Sequence, residues 1–208
     1  MKKSKYILYI TILLSMLYSC KKDDYRIDGG LAKASTPYTT YDYLVNHPYH
    51  YFDTVVSLID HFSLKDSVNK AGTFFAPTNF SINQLMTTLK VKSLDTLYGR
   101  LTSRFLTQYM FTDTTITLDH AATTAAAYPN WADTVSGVKK TAYTYSSVTT
   151  YTYYVLQYVK INGAMDGSPG VPAGDPVDVV LNCQTSGIHT STGTTLHILA
   201  NNSTLNIR

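Results

Sequence analysis

The reactive side chains of this sequence are few and oddly chosen. Its 14 acidic residues are all aspartates, and it has six histidines and two cysteines. With no glutamate anywhere, proton transfer would fall to Asp or His. His47, His50 and Asp53 are spaced three apart, so on one helix they could share a face and hold a metal. Pro48 interrupts that helix, and the alternative is a solvated helix junction. Asp119-His120 lies beside an apparent loop with no nucleophile nearby in sequence. His189 and His197 flank an apolar C-terminal segment, where one hydrogen-bonded, partly buried imidazole and one exposed imidazole are expected. Cys183 falls in a predicted strand and reads as a small buried hydrophobe rather than a nucleophile. The sequence has no Gly-x-Ser-x-Gly elbow, no phosphate-binding glycine loop and no dinucleotide glycine pattern. The expectation is a protein without catalysis, cofactor or metal.

Binding chemistry points instead to tyrosine. The chain has 18 Tyr against 7 Phe and one Trp. Lys139 to Ile161 is rich in Tyr, Thr and Val, a strand composition, with Ser146-Ser147 as a plausible hairpin centre. With the turn near Ser146 to Thr149, Tyr145 is placed opposite Tyr151 and Tyr143 opposite Tyr153, so the four form one cross-strand ladder. Tyr154 and Tyr158 then point to the other face, beside Leu156. Tyr143, Tyr145, Tyr151 and Tyr153 are the candidate contact residues for a sugar or a protein. The competing reading is a solvated sheet face built from good strand formers.

The elements that must position these residues follow from periodicity. Tyr41, Leu44 and Val45 suit a short helix ended by Pro48, and Phe52, Val55, Val56 and Ile59 suit a second. Leu64 to Val68 gives a further turn of helix or loop. Residues 72–76 form an apolar strand stopped by Pro77. Asn79 or Ser81 can cap a helix carrying Ile82, Leu85, Met86 and Leu89. Leu94, Leu97, Leu101 and Phe105 share another helical stripe after Ser93. Thr114 to Leu118 alternates like a strand, 121–133 reads as a loop, and 163–176 is a Gly/Pro loop. Val177 to Leu181 and Gly193 to Leu199 are strands. Helices come first and strands later, which is the α+β class, in one copy.

The N-terminus carries an address. Lys2, Lys3 and Lys5 precede an apolar run from Tyr6 to Leu17, too short to span a bilayer comfortably. The run ends in Leu17-Tyr18-Ser19-Cys20, which resembles the lipobox of bacterial lipoproteins, with Tyr18 bulkier than usual. The resemblance implies a signal peptide at 1–19, lipidation of Cys20 and an outer-membrane anchor. Lys21-Lys22-Asp23-Asp24 is similar to the signal that directs Bacteroidetes lipoproteins to the cell exterior, and residues 20–36 read as a flexible tether. Cleavage leaves 14 of the 17 basic residues against 14 acids, a neutral chain. Nothing in that balance favours nucleic acid.

Thr73-Phe74-Phe75-Ala76-Pro77-Thr78-Asn79 is similar to the first signature of fasciclin domains, a strand ending in an Ala-Pro-Thr turn before a helix. Ile188-His189-Thr190-Ser191-Thr192-Gly193, with Leu196-His197-Ile198-Leu199, resembles the second. The resemblance implies one fasciclin-like domain within 37–208, a β-sheet wedge or sandwich with N-terminal helices packed on it. Where animal relatives carry a Tyr-His pair used in adhesion, this chain has Tyr109-Met110, so integrin-type adhesion is not carried over. The implied function is non-catalytic adhesion at the cell surface or binding of extracellular protein or glycan there. The alternative is an accessory subunit of an outer-membrane nutrient-import complex. Five Asp-Ser/Thr sites resemble Bacteroidetes O-glycosylation sequons, at Thr54, Ser67, Thr96, Thr114 and Thr134, with Thr114 and Thr134 the favoured acceptors.

Overall fold

Short apolar stripes build the helical half of the chain. The computed structural model describes residues 35–146 and 150–205, with 145, 146, 150 and 151 described by backbone alone. The expected leader at 1–19, Cys20 and the expected tether up to residue 34 lie outside the described residues. Ser35 bridges His189, and the Thr36 N–H donates to the His189 carbonyl at 2.9 Å, so these two residues touch the folded body.

Helix α1 (Thr40–Val45) starts at Thr39, whose hydroxyl accepts the Asp42 N–H, and it buries Leu44. Helix α2 (Asp53–His61) buries Val55, Leu58 and Ile59, with Asp53 at its positive end. Helix α3 (Lys65–Lys70) buries Val68. Strand β1 (Thr73–Ala76) is buried throughout and stops at Pro77. Helix α4 (Asn79–Thr88) is capped by Thr78 rather than by Asn79 or Ser81. Asn79 is the first helical residue, and its amide does another job. It accepts the Thr54 N–H at 2.8 Å and donates to the His50 carbonyl at 2.6 Å, pinning the loop before α2.

The stripe from Leu94 to Phe105 is not one helix. Helix α5 (Leu94–Tyr98), capped by Ser93, ends at Gly99, and α6 (Arg104–Thr107) begins after a break. Leu97, Leu101 and Phe105 are nevertheless all buried. Two short turns joined by a bend present the same residues as one helix would, which is why spacing alone misreads them.

The strands are β2 (Met110–Phe111), β3 (Ala126–Pro129), β4 (Val135–Ser146), β5 (Thr150–Lys160), β6 (Val179–His189) and β7 (Thr195–Leu199). They form a seven-stranded sheet in the order β2-β1-β7-β6-β5-β4-β3. Only β1 and β7 run parallel, with Thr73, Phe74, Phe75 and Ala76 opposite Thr195, Leu196, His197 and Ile198. The two edge strands come together at a bridge between Phe111 and Asn130, supported by a 2.9 Å bond from the Trp131 N–H to the Met110 carbonyl. The sheet is thus nearly closed. The class is mixed, with helices mostly before strands.

Two expectations fail between β2 and β4. Thr114 to Leu118 is not a strand, because side chains rather than a neighbouring strand satisfy its backbone. The Thr73 hydroxyl donates to the Thr114 carbonyl and accepts the Ile116 N–H, at 2.6 and 2.9 Å. The 121–133 stretch is not all loop, since it contains β3, paired with residues 135–138 of β4. The Gly/Pro segment at 163–176 is a loop, tied down by Asp166 and Asp178, each accepting the other's backbone N–H.

Phe75 centres the aromatic part of the core. Its ring lies 5.7 Å from Phe111, 5.7 Å from Tyr158 and 4.7 Å from His197, and all four side chains are fully buried.

Candidate functional site

The tyrosine-rich hairpin is split between core and solvent. Its register runs from Ser136 opposite Lys160 to Ser146 opposite Thr150. Tyr143 faces Tyr153 and Tyr145 faces Tyr151, as expected, but Ser146 belongs to the ladder rather than to the turn, because it pairs with Thr150. The connecting residues 147–149 and the side chains of Tyr145 and Tyr151 lie outside the described residues. Strand β3 covers only residues 135–138 of β4, and β6 covers only residues 157–160 of β5. Past these the hairpin continues as a two-stranded ribbon.

On that ribbon both faces meet water. Tyr143, Tyr153 and Tyr154 are 37%, 44% and 47% exposed. The Tyr143 and Tyr153 rings stack at 5.8 Å with 20° between their planes. The opposite face carries a Thr144–Thr152 hydroxyl contact of 3.2 Å and the Lys140 ammonium 5.4 Å over the Tyr154 ring. Below the stacked pair a polar chain crosses three strands. Thr141 donates to Gln157 and Gln157 donates to Asn182, both at 2.7 Å. The arrangement offers flat aromatic faces beside hydrogen-bonding groups, the combination that suits a polar ring or an interface anchor.

Tyr158, on the Leu156 face, belongs to the core instead. Its hydroxyl shares a 2.7 Å bond with Ser136 and donates to the Gln108 carbonyl at 3.2 Å. Ser136 in turn accepts from the Asn130 amide at 2.9 Å, and the Asn130 oxygen receives the Thr134 hydroxyl and the Ala132 N–H. This buried chain links the residues around the sheet closure. Burial pushes the Tyr158 phenol far above its ordinary range, so it stays protonated.

The histidines divide as their surroundings dictate. His197 is fully buried, with Nε2 2.9 Å from the Ile116 carbonyl and Nδ1 accepting the Gly187 N–H at 3.1 Å. Those partners define a neutral tautomer, and burial lowers its pKa from 6.5 to about 4. His189 is exposed. His50 reaches Asp53 at 3.3 Å, but His47 stacks on Tyr51 at 5.1 Å instead of joining them. Among the described residues no group of three His, Cys, Asp or Glu could hold a metal. Cys183 packs half-buried against the core, and burial pushes its thiol well above the usual range.

A second aromatic surface was missed in the sequence. His47 and Phe52 meet edge-on at 5.0 Å, Tyr49 and Tyr51 lie 5.6 Å apart, and Tyr51 contacts Phe80 at 6.1 Å. Tyr49 is 71% and Phe80 52% exposed. The density of rings in Tyr43 to Phe52 was a visible signal, but Phe80 joins only through the fold.

The Asp-Ser/Thr sites fall into two structural kinds. Thr54, Ser67 and Thr96 sit in the first turns of α2, α3 and α5, where a preceding Asp suits the helix start. Thr114 and Thr134 follow Asp113 and Asp133, which hold left-handed backbone at φ 44° and 53°. Thr134 is exposed and Thr114 half-buried. Among the described residues no helix is long and apolar enough to cross a membrane. No protein-family model and no curated protein matches this chain.

Proposed function

We propose that the chain is a non-catalytic, lipid-anchored surface protein whose fasciclin-like domain binds extracellular protein or glycan through the projecting tyrosine hairpin. The observation that carries this reading is the stacked Tyr143–Tyr153 pair, on a ribbon that extends beyond the strands flanking its base. The fasciclin part is supported by the placement of its two signature segments. Though distant in sequence, they meet as the parallel pair β1 and β7. Commitment of His197, Tyr158 and Cys183 to packing and hydrogen bonds leaves the most reactive-looking core groups with structural work. The lipobox-like run ending at Cys20 supplies the anchor.

The test is a variant with Tyr143, Tyr145, Tyr151 and Tyr153 all changed to Ser, checked for folding by circular dichroism. Binding to a glycan array and to outer-membrane extracts of the native host is compared with the parent. Loss of binding with the fold intact supports the reading. Unchanged affinity for the same glycans or proteins shows that the tyrosines are only sheet surface.

A further inference from the structure

The bend between α5 and α6 opens a cleft of about 370 Å³ against the β3–β4 turn and the end of β5. Three cationic side chains line it, Arg100 from the bend, Arg104 from the start of α6 and Lys160 from the end of β5. None of the described residues lining it is acidic. Asp133 sits in sequence between the lining residues Ala132 and Thr134, yet it is not part of the wall. This concentration is not a by-product of a basic chain, because Lys+Arg and Asp are matched once the leader lysines are set aside.

The rest of the wall is mixed. Phe105 and Leu101 form an apolar floor, and Thr134 and Gln108 add polar groups. Arg104 donates one guanidinium N–H to the Ala132 carbonyl, which fixes its position with one of five donors. Lys160 is half-buried, and the loss of water lowers its pKa. A half-buried ammonium gains more from a neighbouring anion than an exposed one would. The volume lies near the lower end of the range for small-molecule sites.

We propose that this cleft binds a small organic anion, a body of one or two sugar-sized rings bearing a carboxylate, sulfate or phosphate. The site lies at the sheet closure, apart from the tyrosine ribbon, and does not depend on the hairpin's role.

The full-length protein in detergent is titrated calorimetrically with glucuronate, glucose 6-sulfate and glucose 6-phosphate. Glucose and inorganic sulfate serve as controls, at low and at physiological ionic strength. One or more of the sugar anions is expected to bind, glucose is not, and affinity is expected to fall as salt rises. The comparison among the three anions identifies the acidic group. Arg100→Gln and Lys160→Gln, tested singly and checked for unchanged melting, should each weaken binding about tenfold. Lys90→Gln, away from the cleft, should leave it unchanged. Equal binding of glucose, equal binding of inorganic sulfate, or full affinity in both cleft variants would overturn the assignment.

Discussion

His197 gives the most exacting test of the core. Its Nδ1 accepts the Gly187 N–H and its Nε2 faces the Ile116 carbonyl, so a second proton would set donor against donor at Gly187. Burial is the main cause of the depressed pKa, the Ile116 carbonyl opposes it, and the neighbouring His189 adds a small repulsion. The folded imidazole titrates near 4 against an ordinary value of 6.5. Between those values the unfolded chain holds more protons, so stability rises with pH there and is lost as pH falls through the window. At about 1.4 kcal/mol for each unit between the two values, the full loss is roughly 3 kcal/mol, complete only below pH 4. Urea unfolding from neutral pH down to about 4 measures it. Aspartates titrate at the lower end as well, so the reading is the difference between the parent and His197→Gln. The variant is expected to be less stable at neutral pH by about 1–3 kcal/mol, with a flatter dependence below pH 6.5. Parallel curves for the two proteins would refute the neutral, hydrogen-bonded imidazole.

Three further outcomes are expected. Phe75→Ala empties a fully buried ring site touching Phe111, Tyr158 and His197, and should cost about 3–5 kcal/mol in denaturant unfolding. Tyr158→Phe removes the hydroxyl that joins Ser136 to the Gln108 carbonyl. It should cost about 1–3 kcal/mol, seen as an earlier melting transition. Cys20→Ala should move the protein from the membrane fraction to the soluble fraction of host cells, and unchanged membrane association would reject the lipid anchor.

Patterns with a strong local cause were legible in the sequence. Leu44, Val55 and Ile59 have helical spacing and are buried, and Pro77 stops β1 because it lacks an N–H. Alternation put Tyr143 and Tyr153 on one face and they do meet, although Ser146, expected at the hairpin centre, is still paired with Thr150. What failed depended on distant partners. Thr114 to Leu118 has strand alternation, but Thr73 and His197 take its hydrogen bonds. The α5–α6 bend buries the same apolar residues as a continuous helix, so spacing could not reveal it, and the cationic cleft behind it was invisible with it. Arg100, Arg104 and Lys160 carry no motif and meet only in the folded chain.

Strand β7 lies between β1 and β6, in the interior of the sheet, although it is made from the last part of the described chain. Until it arrives, β1 lacks its parallel neighbour and β6 its antiparallel one. Joining β1 to the β3–β6 meander therefore waits for a long-range closure, a topology that slows folding. If the proposed leader routes the chain through a membrane, the late arrival of this interior strand delays completion of the sheet until after transit.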